Sequence, residues 1–232
     1  MVKSVLSDYL RNRMDKTTPG NDRKDFGPLI TISRAYGCPA KVVAQDLSLR
    51  LNTKLLGTKG KRWKWISKEI LDESAKELKL DKYLIKEAVN SDTKGIMDDL
   101  IISLANKFYP SDAKVKKTLA EIIKSFTKEG NVIIVGRAGV SLTRNVQNSL
   151  HIRLDAPVEW RAEMISETQR ISHDEARRKL LEIDYKRNLL REYFEGKKPD
   201  NSIFDIIFNY QTMNENEILE SIIRLMELKN MI

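Results

Sequence analysis

Three short runs of apolar and β-branched residues constrain the fold of this chain more than any other feature. They are LITIS at 29–33, NVIIVG at 131–136 and LHIRLDA at 150–156. Their apolar residues mostly run on without alternation, which is typical of parallel strands that are covered on both faces. A further run, SIFDIIFN at 202–209, predicts a last strand. Because helical patterns separate these runs, we expect an α/β fold with a parallel sheet.

The segments between the strands carry apolar residues at helical spacing. Helices are predicted after the first strand, after Pro157, from the capping pair Ser172 and Glu175, and from Asn214 onwards. Residues from about 60 to 130 are helical in character, with segments near Ile66 to Leu71, near 100–104 and near 119–126, the last ending at Gly130.

The N-terminal part differs from the rest of the chain. Residues 1–28 form a short amphipathic piece that ends in the breaker-rich TTPGNDRKDFGP. We interpret them as an N-terminal extension to one domain of residues 29–232, and a homodimer formed through this extension is an open alternative.

The composition excludes several classes of protein. The longest apolar runs are far short of the roughly 20 residues that cross a bilayer, and the N-terminus lacks a secretory pattern. We therefore expect a soluble, cytoplasmic protein without a membrane partner. One cysteine and two histidines provide neither an intramolecular disulfide nor a metal-ligand cluster. The net charge of +8 favours anionic partners, although the interleaved acids also fit a solvated, mixed-charge surface.

The turn between the first strand and the first helix is a candidate anion site. Backbone N–H groups and a helix N-terminus meet at such a turn in α/β sheets. The motif G-x-x-x-x-G-K-[ST] is absent, since Pro39, Ala40 and Lys41 follow Gly37 and Cys38. Ser33, Arg34 and Lys41 still supply a hydroxyl and two positive charges. An ordinary turn with solvated basic side chains explains the same residues.

Two further features place arginines where an anion could bind. Arg137 lies between glycines at the end of the second apolar run, and the carboxyl ends of parallel strands form the ligand crevice of open sheets. In the charged helix after Ser172, Arg177, Asp184 and Arg191 are spaced by sevens, with Arg187 three residues beyond Asp184. One carboxylate could hold several of these guanidiniums in register. A surface turn and a solvated, salt-bridged helix are the alternatives.

The remaining candidates are weaker. His151 and His173 are far apart in the sequence, so we interpret both as surface or strand-edge residues. Trp63 and Trp65 in KGKRWKW could stack on a nucleic-acid base, but packing against the neighbouring helical segment is favoured.

Taken in order, the segments resemble the cytidylate kinase-like family, relatives of cytidylate kinase among the P-loop nucleoside monophosphate kinases. The resembling stretches are ITISRAYG with VVAQDLSLRL, NVIIVGRAG, LHIRLDAPVEWRAEMI, ISHDEARRKLLEIDYKR and FDIIFN, within residues 29–228. The resemblance implies a P-loop NTPase-like three-layer fold with a parallel sheet, a helical insertion at about 60–130 and a helical lid at about 157–200.

The resemblance also assigns roles to individual residues. The phosphate loop corresponds to Ser33 through Lys41, including Arg34, Gly37 and Cys38, and Arg137 would contact the acceptor monophosphate or hold the phosphates. Arg161, after the alanine-proline pair, would lie near the lid. Asp184 and Arg187 match the D-x-x-R pattern of the lid, with Arg187 on the transferred phosphoryl group. ATP and Mg²⁺ are the implied cofactors.

Two departures from the family pattern bear on activity. The chain has Gly37-Cys38-Pro39-Ala40 in place of a glycine-serine-glycine-glycine run, and Val135 in place of an aspartate before the glycine-arginine pair. Both changes remove groups that bind phosphate or organise Mg²⁺ water. Three hypotheses follow: a kinase acting on CMP or dCMP, a catalytically inert nucleotide-binding or regulatory module on the same fold, and, least favoured, a nucleic-acid-binding protein.

Overall fold

The computed structural model describes residues 27–56, 60–66, 120 and 123–232. The strands are β1 Leu29–Arg34, β2 Lys64–Ile66, β3 Val132–Val135, β4 Ser149–Asp155 and β5 Ile206–Asn209. The helices are α1 Ala40–Lys54, α2 Gly139–Thr143, α3 Val158–Gln169, α4 His173–Glu195 and α5 Glu215–Leu228, and residues 123–129 are also helical. None of the described helices is both long and apolar enough to cross a membrane.

The five strands form one parallel sheet in the order β2-β3-β1-β4-β5. Ile30 and Ile32 of β1 join a core cluster with α1 and α5, whereas Leu29 joins a second cluster that includes Phe126 and Ile134. Alternate residues of a strand point to opposite faces, so both faces of the sheet are covered by apolar groups. This arrangement explains why β3 is apolar at every position, and it confirms the predicted α/β fold with its parallel sheet.

Several helix ends follow the local sequence signals. The Ser172 hydroxyl accepts a hydrogen bond from the Glu175 amide at the start of α4, and Asn214 and Glu217 form a complete capping box at the start of α5. Gly130 has a φ of +68°, and its N–H donates a hydrogen bond to the Phe126 carbonyl. This geometry confirms that the preceding helical residues end at Gly130.

Two predictions of secondary structure need correction. Ile66 was expected to begin a helical segment, but it ends β2, which pairs with β3 from Lys64↔Val132 to Ile66↔Ile134. A strand of three residues is too short to show a period in the sequence. The last strand covers only 206–209 of the predicted 202–209, because a turn at Asp200 to Phe204 precedes it.

Other predictions lie partly outside the described residues. These are the N-terminal extension up to residue 26 and the helical segments near 70 and near 100–104. The helices of the predicted lid, α3 and α4, are both described. They pack through the cluster of Ala162, Ile165, Ala176 and Leu180.

Candidate phosphate-binding site

A cavity of about 60 Å³ opens at the carboxyl ends of β1, β3 and β4, beneath α4. This edge is where parallel α/β sheets bind their ligands. The residues that line the cavity are rich in arginine and come from four elements of the fold; they are Ser33, Arg34, Gly136, Arg137, Ala138, Arg153, Asp184, Arg187, Asn188, Leu190 and Arg191. Six of the residues proposed from the sequence therefore meet here: Ser33, Arg34, Arg137, Asp184, Arg187 and Arg191.

The turn that carries Arg137 is strained. Arg137 and Ala138 have φ values of +59° and +52°, and the Gly139 amide donates to the Gly136 carbonyl at 2.9 Å. This is the geometry of a type I′ turn, whose central positions normally favour glycine, asparagine or aspartate. Left-handed backbone at a residue with a side chain costs roughly 1–2 kcal/mol. Strain of this kind is concentrated at functional sites, and here it holds Arg137 at the edge of the cavity.

Gly136 makes room for the neighbouring arginine. A Cβ on Gly136 would lie 2.0 Å from Nη1 of Arg34, which is far inside van der Waals contact. Arg34 can therefore fold against the turn only because residue 136 has no side chain. Within the described residues, the buried Nε of Arg137 makes no hydrogen bond, although its side chain has other interactions.

Asp184 of α4 connects the helix to the turn after β1. Its Oδ1 accepts the Tyr36 amide at 2.7 Å, and its Oδ2 accepts Nη1 of Arg161 at 2.6 Å. Nη1 of Arg187 lies 3.7 Å from Oδ1. The carboxylate is thus held by one backbone N–H and two guanidiniums, a donor set that would equally suit a phosphate oxygen.

Arg161 lies behind this carboxylate and outside the cavity lining. It is buried, and it donates to the carbonyls of Ala156 and Tyr36 at 2.9 Å as well as to Asp184. Its geometry is that of a support for the turn and for α4.

The predicted phosphate loop is divided by the structure. Gly37 is exposed and packs beside Arg161, Cys38 is buried, and Lys41 points outward, with Nζ 5.6 Å from the ring centroid of Trp65. Burial raises the pKa of the Cys38 thiol to about 11, so Cys38 stays protonated at neutral pH. These three residues lie outside the cavity lining.

The amides of this loop are largely engaged within the chain. Five of them already donate hydrogen bonds, those of Ala35, Tyr36, Cys38, Ala40 and Val42. Pro39, at the N-cap of α1, has no N–H to offer. A phosphate bound by these five amides would have to displace existing hydrogen bonds.

The sequence analysis missed one arginine of the cavity, Arg153, and assigned the wrong partner to another, Arg191. Nε of Arg153 pairs with Asp155 at 2.9 Å, and Nε of Arg191 pairs with Glu195 at 2.9 Å. The expectation that Asp184 holds Arg177 and Arg191 was wrong, because Arg177 pairs with Glu159 on α3. Arg153 could have been found from its place at the carboxyl end of β4, next to Asp155.

The cavity has an excess of positive charge. Among the residues that line it, five are arginines and one, Asp184, is a carboxylate. A lining of this composition suits an anionic ligand.

The histidine and tryptophan interpretations can also be tested. His151 is buried in β4, bonding Thr31 Oγ1 at 2.8 Å and Ser149 Oγ at 3.1 Å, so its prediction as a surface or edge residue was wrong. Burial lowers the pKa of His151 below 6.5. His173 is partly exposed and lies 3.7 Å from Glu159. Trp63 is buried in the core, which removes it as a stacking platform for nucleic acid.

The described residues do not form a ready metal site. In the ranges 27–56, 60–66 and 123–232, no group of three or more histidine, cysteine, aspartate or glutamate side chains could hold an ion. Asp184, the carboxylate that lines the cavity, is committed to guanidiniums. This donor set does not fit a Mg²⁺ ion held by the protein itself.

Comparison with known proteins gives the chain a family. The model described as the cytidylate kinase-like family matches residues 29–212. A cytidylate kinase from Sulfolobus acidocaldarius is 29% identical over 153 residues, which are 65% of this chain and 82% of that protein. A cytidylate kinase from Methanocaldococcus jannaschii is 31% identical over 101 residues, which are 42% of this chain and 54% of that protein.

A solved structure supports the fold. The crystal structure of an uncharacterized protein from Eubacterium ventriosum matches with a TM-score of 0.55 at 19% identity, covering 86% of this chain and 98% of that chain. The resemblance to the cytidylate kinase-like family and the α/β fold with a parallel sheet, both predicted from the sequence, are thereby confirmed. Because the family match spans most of the chain and includes every residue that lines the cavity, this protein belongs to the cytidylate kinase-like family.

Proposed function

We propose that this protein transfers the γ-phosphoryl group of ATP to a nucleoside monophosphate, with CMP or dCMP as the acceptor. The observation that carries the proposal is the cavity lined by five arginines, at the ligand-binding edge of the sheet and directly beneath the D-x-x-R segment of α4. Family membership supports the reaction type. The choice of cytidine rests on the names of the two relatives.

The arginines suit the chemistry of phosphoryl transfer. Its transition state spreads negative charge over the equatorial oxygens, so catalysis consists mainly of positioning and charge neutralisation. In our proposal Arg34 and Arg137 hold phosphate oxygens at the strand ends, and Arg187 neutralises the transferred group. Ser33 adds a hydroxyl donor at the same edge.

The size of the cavity supports a movement of α4 as part of this proposal. Its volume of about 60 Å³ suits a group the size of roughly two water molecules. Pockets that hold nucleotide-sized ligands usually measure several hundred Å³. We propose that α4 opens for nucleotide entry and closes to bring Arg187 onto the phosphates, a gating step of the kind found in other kinases.

Mg²⁺ supplies charge neutralisation to the phosphates of ATP when it is bound. Because the described residues do not fit a protein-held ion, we propose that phosphate oxygens and water provide its ligands, as is common for this cation. The chain's own contribution is then the arginine charge.

The test is phosphorus NMR of the protein with Mg²⁺, ATP and a mixture of nucleoside monophosphates. New diphosphate signals above a control without protein are expected, with CMP or dCMP consumed first. Consumption of another monophosphate would refute the assignment of cytidine. Absence of any product over a long incubation would refute the transferase function.

A second candidate is a catalytically inert nucleotide-binding module. The engaged loop amides and Pro39 favour it, because they leave little of a triphosphate cradle. In this case ATP or a monophosphate should shift protein resonances without product formation. The double variant Pro39→Gly, Ala40→Gly should then gain nucleotide affinity or turnover, and no gain would contradict this explanation of inactivity.

A further inference from the structure

Tyr36 lies at the point where the turn after β1 meets the helices α3 and α4. Its N–H donates to Asp184 Oδ1 at 2.7 Å, and its carbonyl accepts Nη1 of Arg161 at 2.9 Å. Both backbone polar groups of Tyr36 are therefore held by side chains of these helices. The hydroxyl accepts a hydrogen bond from Nε2 of Gln169 at the end of α3, at 3.0 Å.

The ring of Tyr36 has two neighbours of different chemistry. It packs on the apolar cluster between α3 and α4, which includes Ile165 and Leu180. It also lies under Arg187, whose Cζ is 5.3 Å from the ring centroid. A guanidinium at this distance from a tyrosine ring is attracted by the negative face of the ring.

This contact bears directly on where Arg187 points. A long arginine side chain loses rotational freedom when it is held in one conformation. Nη1 of Arg187 also donates to the Arg34 carbonyl at 3.5 Å, and Arg187 lines the cavity. The ring and the Asp184 carboxylate thus approach the guanidinium from separate elements of the fold and fix it at the cavity.

We propose that Tyr36 is a positioning residue that holds Arg187 for phosphoryl transfer through its aromatic ring. This inference rests on the proposed function. Tyr36 acts through Arg187 and through the turn, and its ring is the part that matters. The hydroxyl, which is hydrogen-bonded to an exposed glutamine, contributes little.

Three variants separate the ring from the hydroxyl and from general packing. Tyr36→Phe keeps the ring and should retain kcat within about twofold. Tyr36→Leu keeps an apolar side chain for the cluster but removes the aromatic face, and kcat should fall by about tenfold, the size expected for a partly desolvated cation–π contact. The KM for the acceptor should change less than threefold, as a rough expectation for a contact needed mainly in the transition state.

The matched control is Tyr185→Leu. Tyr185 follows Asp184 on α4 but is 63% exposed, so the same substitution should leave turnover unchanged. Thermal melts of all variants check that they fold. Wild-type kcat in Tyr36→Leu, or an equal loss in Tyr185→Leu, would overturn the proposal, as would a raised KM at constant kcat.

A second readout does not depend on activity. The Nε–H resonance of Arg187, assigned by its loss in Arg187→Lys, should move in Tyr36→Leu but not in Tyr36→Phe, because the ring current disappears only with the ring. An inactive wild type would refute the proposed function. A shifted Arg187 resonance in Tyr36→Leu would still support the contact by which Tyr36 positions Arg187. An unmoved resonance would overturn the positioning role whatever the activity.

Discussion

Replacing Gly136 with alanine should weaken anion binding, because the added methyl takes the place of the Arg34 guanidinium. An ideal Cβ would lie 2.0 Å from Nη1 of Arg34, whereas ordinary contact begins at 3.4 Å. The guanidinium must therefore retreat by the difference, about 1.4 Å. A displacement of this size is enough to remove a directional hydrogen bond.

The expected magnitudes differ for stability and for binding. Alanine at a φ of +67° costs roughly 1–2 kcal/mol, while moving the end of a flexible arginine adds little. For a protein of this size the melting temperature should fall by about 2–8 °C. A lost hydrogen bond between charged groups is worth about 1.5–3 kcal/mol, so pyrophosphate affinity should fall by roughly ten- to a hundredfold.

Gly196→Ala is the matched control. Gly196 has nearly the same φ, +69°, but nothing lies within 4 Å of its added Cβ. Both variants should lose similar stability in thermal melts, and only Gly136→Ala should lose pyrophosphate affinity in calorimetric titration. Adding Arg34→Ala to the Gly136→Ala variant should then lower the pyrophosphate affinity only slightly further. Wild-type affinity in Gly136→Ala, or an equal loss in both glycine variants, would refute the reasoning.

Three other perturbations test separate parts of the molecule. Arg187→Ala should lower kcat by about a thousandfold in the phosphorus NMR assay while nucleotide binding changes less than tenfold, and unchanged turnover would contradict its role. Acidification below pH 6.5 should lower the melting temperature, since burial depresses the pKa of His151 in the folded state and the unfolded chain binds the extra proton. His151→Gln should flatten the dependence of melting temperature on pH in this range. An unchanged dependence in this variant would exclude His151 as its source. Glu195→Gln should lower the free energy of unfolding, measured in urea, by about 3–5 kcal/mol because it breaks a buried ion pair with Arg191. Glu220→Gln, in an exposed pair with Arg50, should lower it by under about 1 kcal/mol. Equal losses in the two variants would contradict the importance of burial.

Local signals in the sequence determined most of the fold. Short apolar runs predicted β1, β3 and β4, and in β3, which is buried on both faces, every residue is apolar. Ser172 and Asn214 predicted the starts of α4 and α5, because an N-cap side chain accepts its hydrogen bond from an amide only three residues further along the chain. The short β2 could not be predicted in this way, since its pairing partner β3 lies more than sixty residues away.

The candidate site was only partly accessible from the sequence. Order along the chain identified the elements that carry Arg34, Arg137 and Arg187, because strand ends and the D-x-x-R segment are local features. The order of residues along the chain could not show that Lys41 lies outside the site. Lys41 is near Arg34 in sequence but faces Trp65 on another side of the loop. Side-chain direction in a turn depends on backbone angles that the neighbouring elements impose.

The sequence by itself thus determined the α/β class, the family and the basic character of the ligand-binding edge. The tertiary structure alone decided that Asp184 bonds the Tyr36 amide across 148 residues, that Gly136 makes room for Arg34, and that His151 is buried. Periodicity and capping act over a few residues and leave a trace in the sequence. Contacts between distant segments depend on how the sheet and helices pack, and that packing is fixed only when the whole chain is folded.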